Sequence, residues 1–140
     1  MRGSDWGLGT SDSRLGPFMS YVSHFRELQV WQRGMDLVEA VYRLSTVFPK
    51  SESCALTGQI RHASVSVPSN IAEGHTRAST KEYWNHLSIA QASLAEVETQ
   101  LEIAVRFKLA HPAASQEILD QARILGNEPR ALRLAVSKRS

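Results

Sequence analysis

Between Phe25 and Phe48 the apolar residues recur in steps of three and four, and that spacing predicts an amphipathic helix with an unusually broad apolar side. One stripe runs Leu28, Trp31, Met35, Val38, Tyr42, Ser45; a second runs Val30, Gly34, Leu37, Val41, Leu44, Phe48. At 100° per residue the two lie side by side over roughly 160°. A coiled-coil seam uses about two positions in seven and an ordinary bundle helix about three, so four exceed what one set of bundle neighbours covers. Left bare, such a stripe is an apolar patch of the kind that marks an interface. The excess is therefore assigned to self-association through Val30, Leu37, Val41 and Leu44; the alternative is that a neighbouring helix buries Val30, Leu37 and Leu44.

Three further helical segments are predicted. The second starts at Ser51 or Ser53 as N-cap and runs through Leu56, Ile60, Ala63 and Val67 to about Gly74. Pro68 falls inside it, where it removes a backbone donor and crowds the preceding turn, so a kink is expected near residues 64–67. Freed carbonyls there would draw on the Ser69 hydroxyl or the Asn70 amide, which makes Pro68, Ser69, Asn70, Glu73 and Gly74 a structural joint. Ser79 with Glu82 three residues on is a capping box, opening a third helix whose core stripe is Tyr83, Leu87, Ala90, Leu94, Val97, Leu101, Ala104. After His111-Pro112 a fourth helix carries Ile118, Ala122 and Leu125. Gly126-Asn127-Glu128-Pro129 then interrupts its pattern before Ala131 to Val136 resumes it.

Short connections between four amphipathic segments predict an all-α, antiparallel, up-down-up-down four-helix bundle. Residues 1–18, rich in Gly, Ser and Asp without periodicity, read as a vector-derived or disordered leader, with 19–140 as the bundle domain. Lys plus Arg number 16 against 14 Asp plus Glu, a formal charge of +2 that implies no nucleic acid by itself. The topology, however, gathers Arg26, Arg77, Lys81, Arg130, Arg133, Lys138 and Arg139 at one end, against Glu27, Glu73, Glu82 and Glu128. A single cysteine, Cys54, excludes an intrachain disulfide and a cysteine-based zinc cluster, which fits a reducing cytoplasm. No apolar run approaches the roughly 20 residues of a membrane span.

Enzyme chemistry finds little to stand on. Cys54 and His62 are about 12 Å apart along a helix axis at 1.5 Å per residue, too far for a thiolate-imidazole pair. No Glu-x-x-His pair of the kind that builds di-iron bundles occurs. Glu82 and His86, one turn apart, read as a surface hydrogen-bonded pair, and no metal or cofactor is expected. Glu96, Glu98 and Glu102 read as a solvated acidic face, with a subunit contact to Arg33 or Arg43 as the alternative. Trp31 and Trp84 read as packing residues.

Several segments in order then resemble one family. Phe25-Arg-Glu-Leu-Gln-Val-Trp31, Tyr42-Arg-Leu-Ser-Thr-Val-Phe-Pro49, Val65-Ser-Val-Pro-Ser-Asn-Ile-Ala-Glu-Gly74 and Leu94-Ala-Glu-Val-Glu-Thr-Gln-Leu-Glu-Ile-Ala104 are similar to the motifs of the small bacterial four helix bundle proteins, also called S23-type or ribosomal-RNA intervening-sequence proteins. The resemblance implies four-helix bundles assembled as homopentameric rings. In one branch, the accessory proteins of diversity-generating retroelements, it implies binding to a reverse transcriptase and its RNA. Ala55 before Leu56 and Glu128-Pro129 in the fourth helix depart from the family pattern. The function expected is a non-enzymatic oligomeric scaffold or adaptor whose basic end contacts RNA, DNA or a nucleic-acid enzyme; the alternative is an oligomeric protein-interaction module with no nucleic-acid role.

Overall fold

The computed structural model describes residues 24–138, so the proposed leader, residues 1–18, lies outside the described part, as does Arg139. Four α-helices account for most of it: α1 Gln29–Ser45, α2 Gly58–His75, α3 Thr80–Arg106 and α4 Pro112–Lys138. No strand occurs among the described residues. Helix α1 packs on α2 and α4, and α3 packs on α2 and α4, so the four surround one core. Leu37, Val41, Ile60, Val67, Ile71, Leu87, Val97 and Leu101 in that core are wholly shielded from solvent.

Local chemistry sets the helix ends. A short 3₁₀ turn, Phe25–Glu27, precedes α1 and is capped by His24, whose Nδ1 accepts from the Arg26 N–H at 3.2 Å. Helix α1 ends at Ser45, three residues before the apolar stripe does; the Ser45 hydroxyl donates to the Val41 carbonyl at 2.8 Å, and the chain turns so that Phe48 folds back under Leu56 and Ala104. Ser51 and Ser53 do not cap α2. A 3₁₀ turn, Lys50–Glu52, and a π-helical turn, Ser53–Thr57, lead into it instead. Ser79 caps α3 as expected, its hydroxyl accepting from the Glu82 N–H at 3.1 Å. At the far end of α3, Lys108 sits in the left-handed region (φ 60°), with Leu109 N–H on the Ala104 carbonyl and Lys108 N–H on that of Val105, a Schellman closure made without glycine.

The fourth helix is continuous where its apolar pattern is interrupted. It begins with Pro112, whose missing N–H lies among the donors a helix start leaves unpaired anyway, and runs unbroken through Gly126-Asn127-Glu128-Pro129. Pro129 is fully buried, so its ring fills core volume while α4 forgoes one backbone bond.

Helix α1 corrects the expectation of where its interface lies. Val30, Leu37 and Val41 lie in the protomer's own core and offer no surface to another copy, while Leu44 packs against that core and is only half-buried. The other stripe is the uncovered one: Met35 and Tyr42 are 39% and 41% exposed, with Trp31 and Val38 half-buried beside them. Gly34 decides which stripe faces in. A Cβ there would stand 3.2 Å from the Cβ of Pro68, so its absence is what lets α1 lie this close on α2.

Candidate functional site

The segment 68–74 builds a polar seam between α2 and α3. Pro68 and Gly74 are buried, Asn70 half-buried, and Ser69 and Glu73 exposed. Asn70 Nδ2 donates to the Ser66 carbonyl one turn back at 2.9 Å and to the Ser66 hydroxyl at 3.1 Å. That hydroxyl meets Ser93 Oγ on α3 at 2.7 Å. Asn70 Oδ1 stands 3.0 Å from His86 Nδ1, so the amide oxygen ties α2 to α3 directly while its nitrogen holds the Ser66 hydroxyl that meets Ser93. Glu73 continues the seam outward, 3.8 Å from His86 and 3.2 Å from Arg77, and Arg77 reaches Glu82 at 4.0 Å.

Gly74 makes this approach possible, because a Cβ on it would fall 2.8 Å from His86 Cβ and 2.9 Å from the Tyr83 ring. The expected Glu82–His86 pair is not made: His86 serves Asn70 and Glu73, and Glu82 serves Arg77. Asn70 thus joins the two helices by another route than the one expected: the carbonyl it meets is that of Ser66, whereas the donor missing at Pro68 is the one for Ser64. Its partner on α3 was missed, since one-turn spacing within α3 was the only signal available for His86.

Charged residues collect where the start of α1, the α2–α3 corner and the later part of α4 come together. His24 and Glu27 lie close enough to His75 to influence its charge, and Arg133 lays its guanidinium 4.6 Å over the ring of Trp84. Arg26, Arg77, Lys81 and Arg130 are exposed there and Arg133 half-buried. Lys138 ends α4, but its side chain, like Arg139, lies outside the described residues. Among the described residues only Arg77 of the five is paired with carboxylates. Arg26 rests on His24 and the Phe25 ring, Arg130 donates to Asn127 at 3.3 Å, and Arg133 donates to Gln91. Arg33, a candidate for a subunit contact, is instead committed within the protomer to Glu128 at 2.6 Å.

His75, edge-on to Tyr83 at 5.8 Å, has a pKa below the usual imidazole value; burial lowers it most, then the neighbouring His24, while Glu27 acts in the opposite sense. A depressed folded-state value means the unfolded chain binds this proton first. The contribution is therefore intact above the ordinary imidazole value of 6.5 and is lost as pH falls through it toward the folded value. The thermal midpoint should drop between pH 7.5 and 5.5, and His75→Gln should flatten that drop; an unchanged slope in the variant would rule His75 out as its source.

Among the described residues no three His, Cys, Asp or Glu side chains converge as metal ligands, and no helix is long and apolar enough to cross a membrane. The arrangement can clamp helices and present cations.

Comparison with known proteins agrees with this architecture. A crystal structure of a protein of unknown function from the S23 ribosomal protein family of Bacteroides thetaiotaomicron VPI-5482 superposes with a TM-score of 0.67 at 18% identity, over 74% of this chain and 97% of that one. No curated protein matches the chain. The model of the 23S rRNA-intervening sequence protein family matches residues 26–128, and the chain belongs to that family.

Proposed function

We propose that the protein is a non-enzymatic, self-associating cytoplasmic scaffold that binds nucleic acid, or an enzyme acting on nucleic acid, through the cation-rich end of the bundle. The topology proposed with it is antiparallel and up-down-up-down, with α2 bent where Pro68 lacks its N–H. Partner numbers support this, because they fall on one helix as they rise on the next: Ser66 meets Ser93, Asn70 meets His86, and Gly74 abuts Tyr83. A homopentameric ring is the assembly proposed, from the family resemblance and from the apolar side chains α1 leaves uncovered.

The observation carrying the functional reading is that Arg26, Lys81, Arg130 and Arg133 share one end of the protomer without a carboxylate partner among the described residues. A ring repeats that end several times, and affinity for a polyanion grows with the number of phosphates neutralised. Phosphate attraction without base readout predicts little sequence preference and a steep salt dependence. A generic single-stranded RNA should bind at low salt and be released as salt rises. Arg26→Glu, Lys81→Glu and Arg130→Glu together should weaken binding about tenfold or more and flatten the salt slope while leaving assembly unchanged. No binding at low salt would remove nucleic acid from the proposal and favour a purely protein-directed scaffold.

A further inference from the structure

We infer that the outer face shared by α1 and α2 docks onto the outer crest of α3 in a second copy of the chain. The inference rests on the self-association proposed above and assigns the two surfaces that carry it. Met35, Tyr42 and Val65 are 39%, 41% and 40% exposed, and they lie on the two helices that Gly34 and Pro68 hold at close approach. Between them sits Arg61, whose partners are all neutral: Ser45 Oγ at 2.7 Å, the Tyr42 carbonyl at 3.3 Å and the Tyr42 ring at 4.6 Å. The face is therefore apolar with a positive charge that no carboxylate in the described protomer balances.

That charge determines which surface can cover it. Two such faces laid against each other would bring one Arg61 toward the other without a counter-charge, a poor arrangement in a drying interface. The outer side of α3 has the complementary character. Ala92, Ala95 and Thr99 form a low, small-residue crest at helical spacing, with the exposed Glu96 and Glu102 on either side of it. Neither glutamate has a cationic partner among the described residues. Alongside runs a shallow groove of about 380 Å³ that also includes Gln59, Gln100 and Ile103. Gln100 Oε1 is buried there without a hydrogen-bond partner, an acceptor the lone protomer leaves unsatisfied. Large side chains beside an arginine thus meet small ones beside a glutamate. Because the two faces differ, each copy uses one to hold its predecessor and the other to hold its successor, the relation that closes rings.

Sedimentation of two single-face variants and their mixture tests this. Met35→Glu damages the α1–α2 face and Glu96→Arg the α3 crest; both positions are exposed, and Val65→Glu and Ala95→Arg serve as replacements should circular dichroism show either first variant unfolded. Wild type should sediment as a multimer at micromolar concentration, while each variant alone is monomeric, its self-affinity weakened about 30-fold or more. Mixed, the variants should form a one-to-one dimer and nothing larger, since one intact face remains on each. A mixture that stays monomeric, or variants that keep the multimer, would overturn the assignment of faces alone. A monomeric wild type would overturn self-association along with it.

Discussion

Leu37→Ala should lower the free energy of unfolding by about 2–5 kcal/mol, because Leu37 is wholly shielded inside the protomer and truncation leaves a cavity its neighbours only partly refill. The loss should appear in denaturant unfolding as a lower midpoint with an unchanged slope, and it should not depend on protein concentration over the range where assembly is constant. Those features separate a core position from an interface position. If the variant instead dissociated into protomers of undiminished stability, Leu37 would lie between copies, where the pattern of α1 alone first placed it. Met35→Ala, on the uncovered stripe, should by contrast change protomer stability by less than about 1 kcal/mol.

Gly74→Val is expected to be nearly as disruptive for the opposite reason. Even the first carbon of a side chain at 74 would press on the Cβ of His86 and the ring of Tyr83, and a Cβ cannot swing aside as a flexible tip can. Replacing a helical glycine usually gains up to about 1 kcal/mol of helix propensity, so the crowding must exceed that gain to be seen. Forcing extra methyl groups into a tight contact costs about 1–3 kcal/mol, and valine brings three carbons. The thermal midpoint should fall by about 5–15 °C in a domain of this size. Separation of α3 from α2 should also break the Asn70–His86 contact, which proton NMR of the His86 ring would report. A midpoint equal to wild type would mean that the two helices part at little cost.

Four helices, their order and the start of α3 were readable from spacing and capping, because those signals are local. Ser79 could be recognised as a cap from Glu82 alone. What could not be read was which half of the broad side of α1 turns inward, since both stripes repeat with the same period. The choice falls to Gly34 and Pro68, whose fit exists only once α1 and α2 are side by side. Pro129 left the course of the fourth helix open for a related reason. A proline reads locally as a break, but the burial of its ring in the core outweighs the loss of one hydrogen bond in α4. The seam divides the same way: Asn70 was marked by its nearness to Pro68, whereas His86 was drawn toward Glu82 by sequence distance and belongs to Asn70 in space. Of the cation-rich end, Arg26, Arg77, Lys81, Arg130 and Arg133 could be grouped from the order of the helices, but not which of them a carboxylate neutralises.

Gly34 and Pro68 also constrain each other. The missing side chain of one and the rigid ring of the other occupy a single volume, so neither position drifts freely by itself. A side chain larger than hydrogen at 34 would press on the ring at 68 and push the first two rods apart, so the two positions act as one unit of shape.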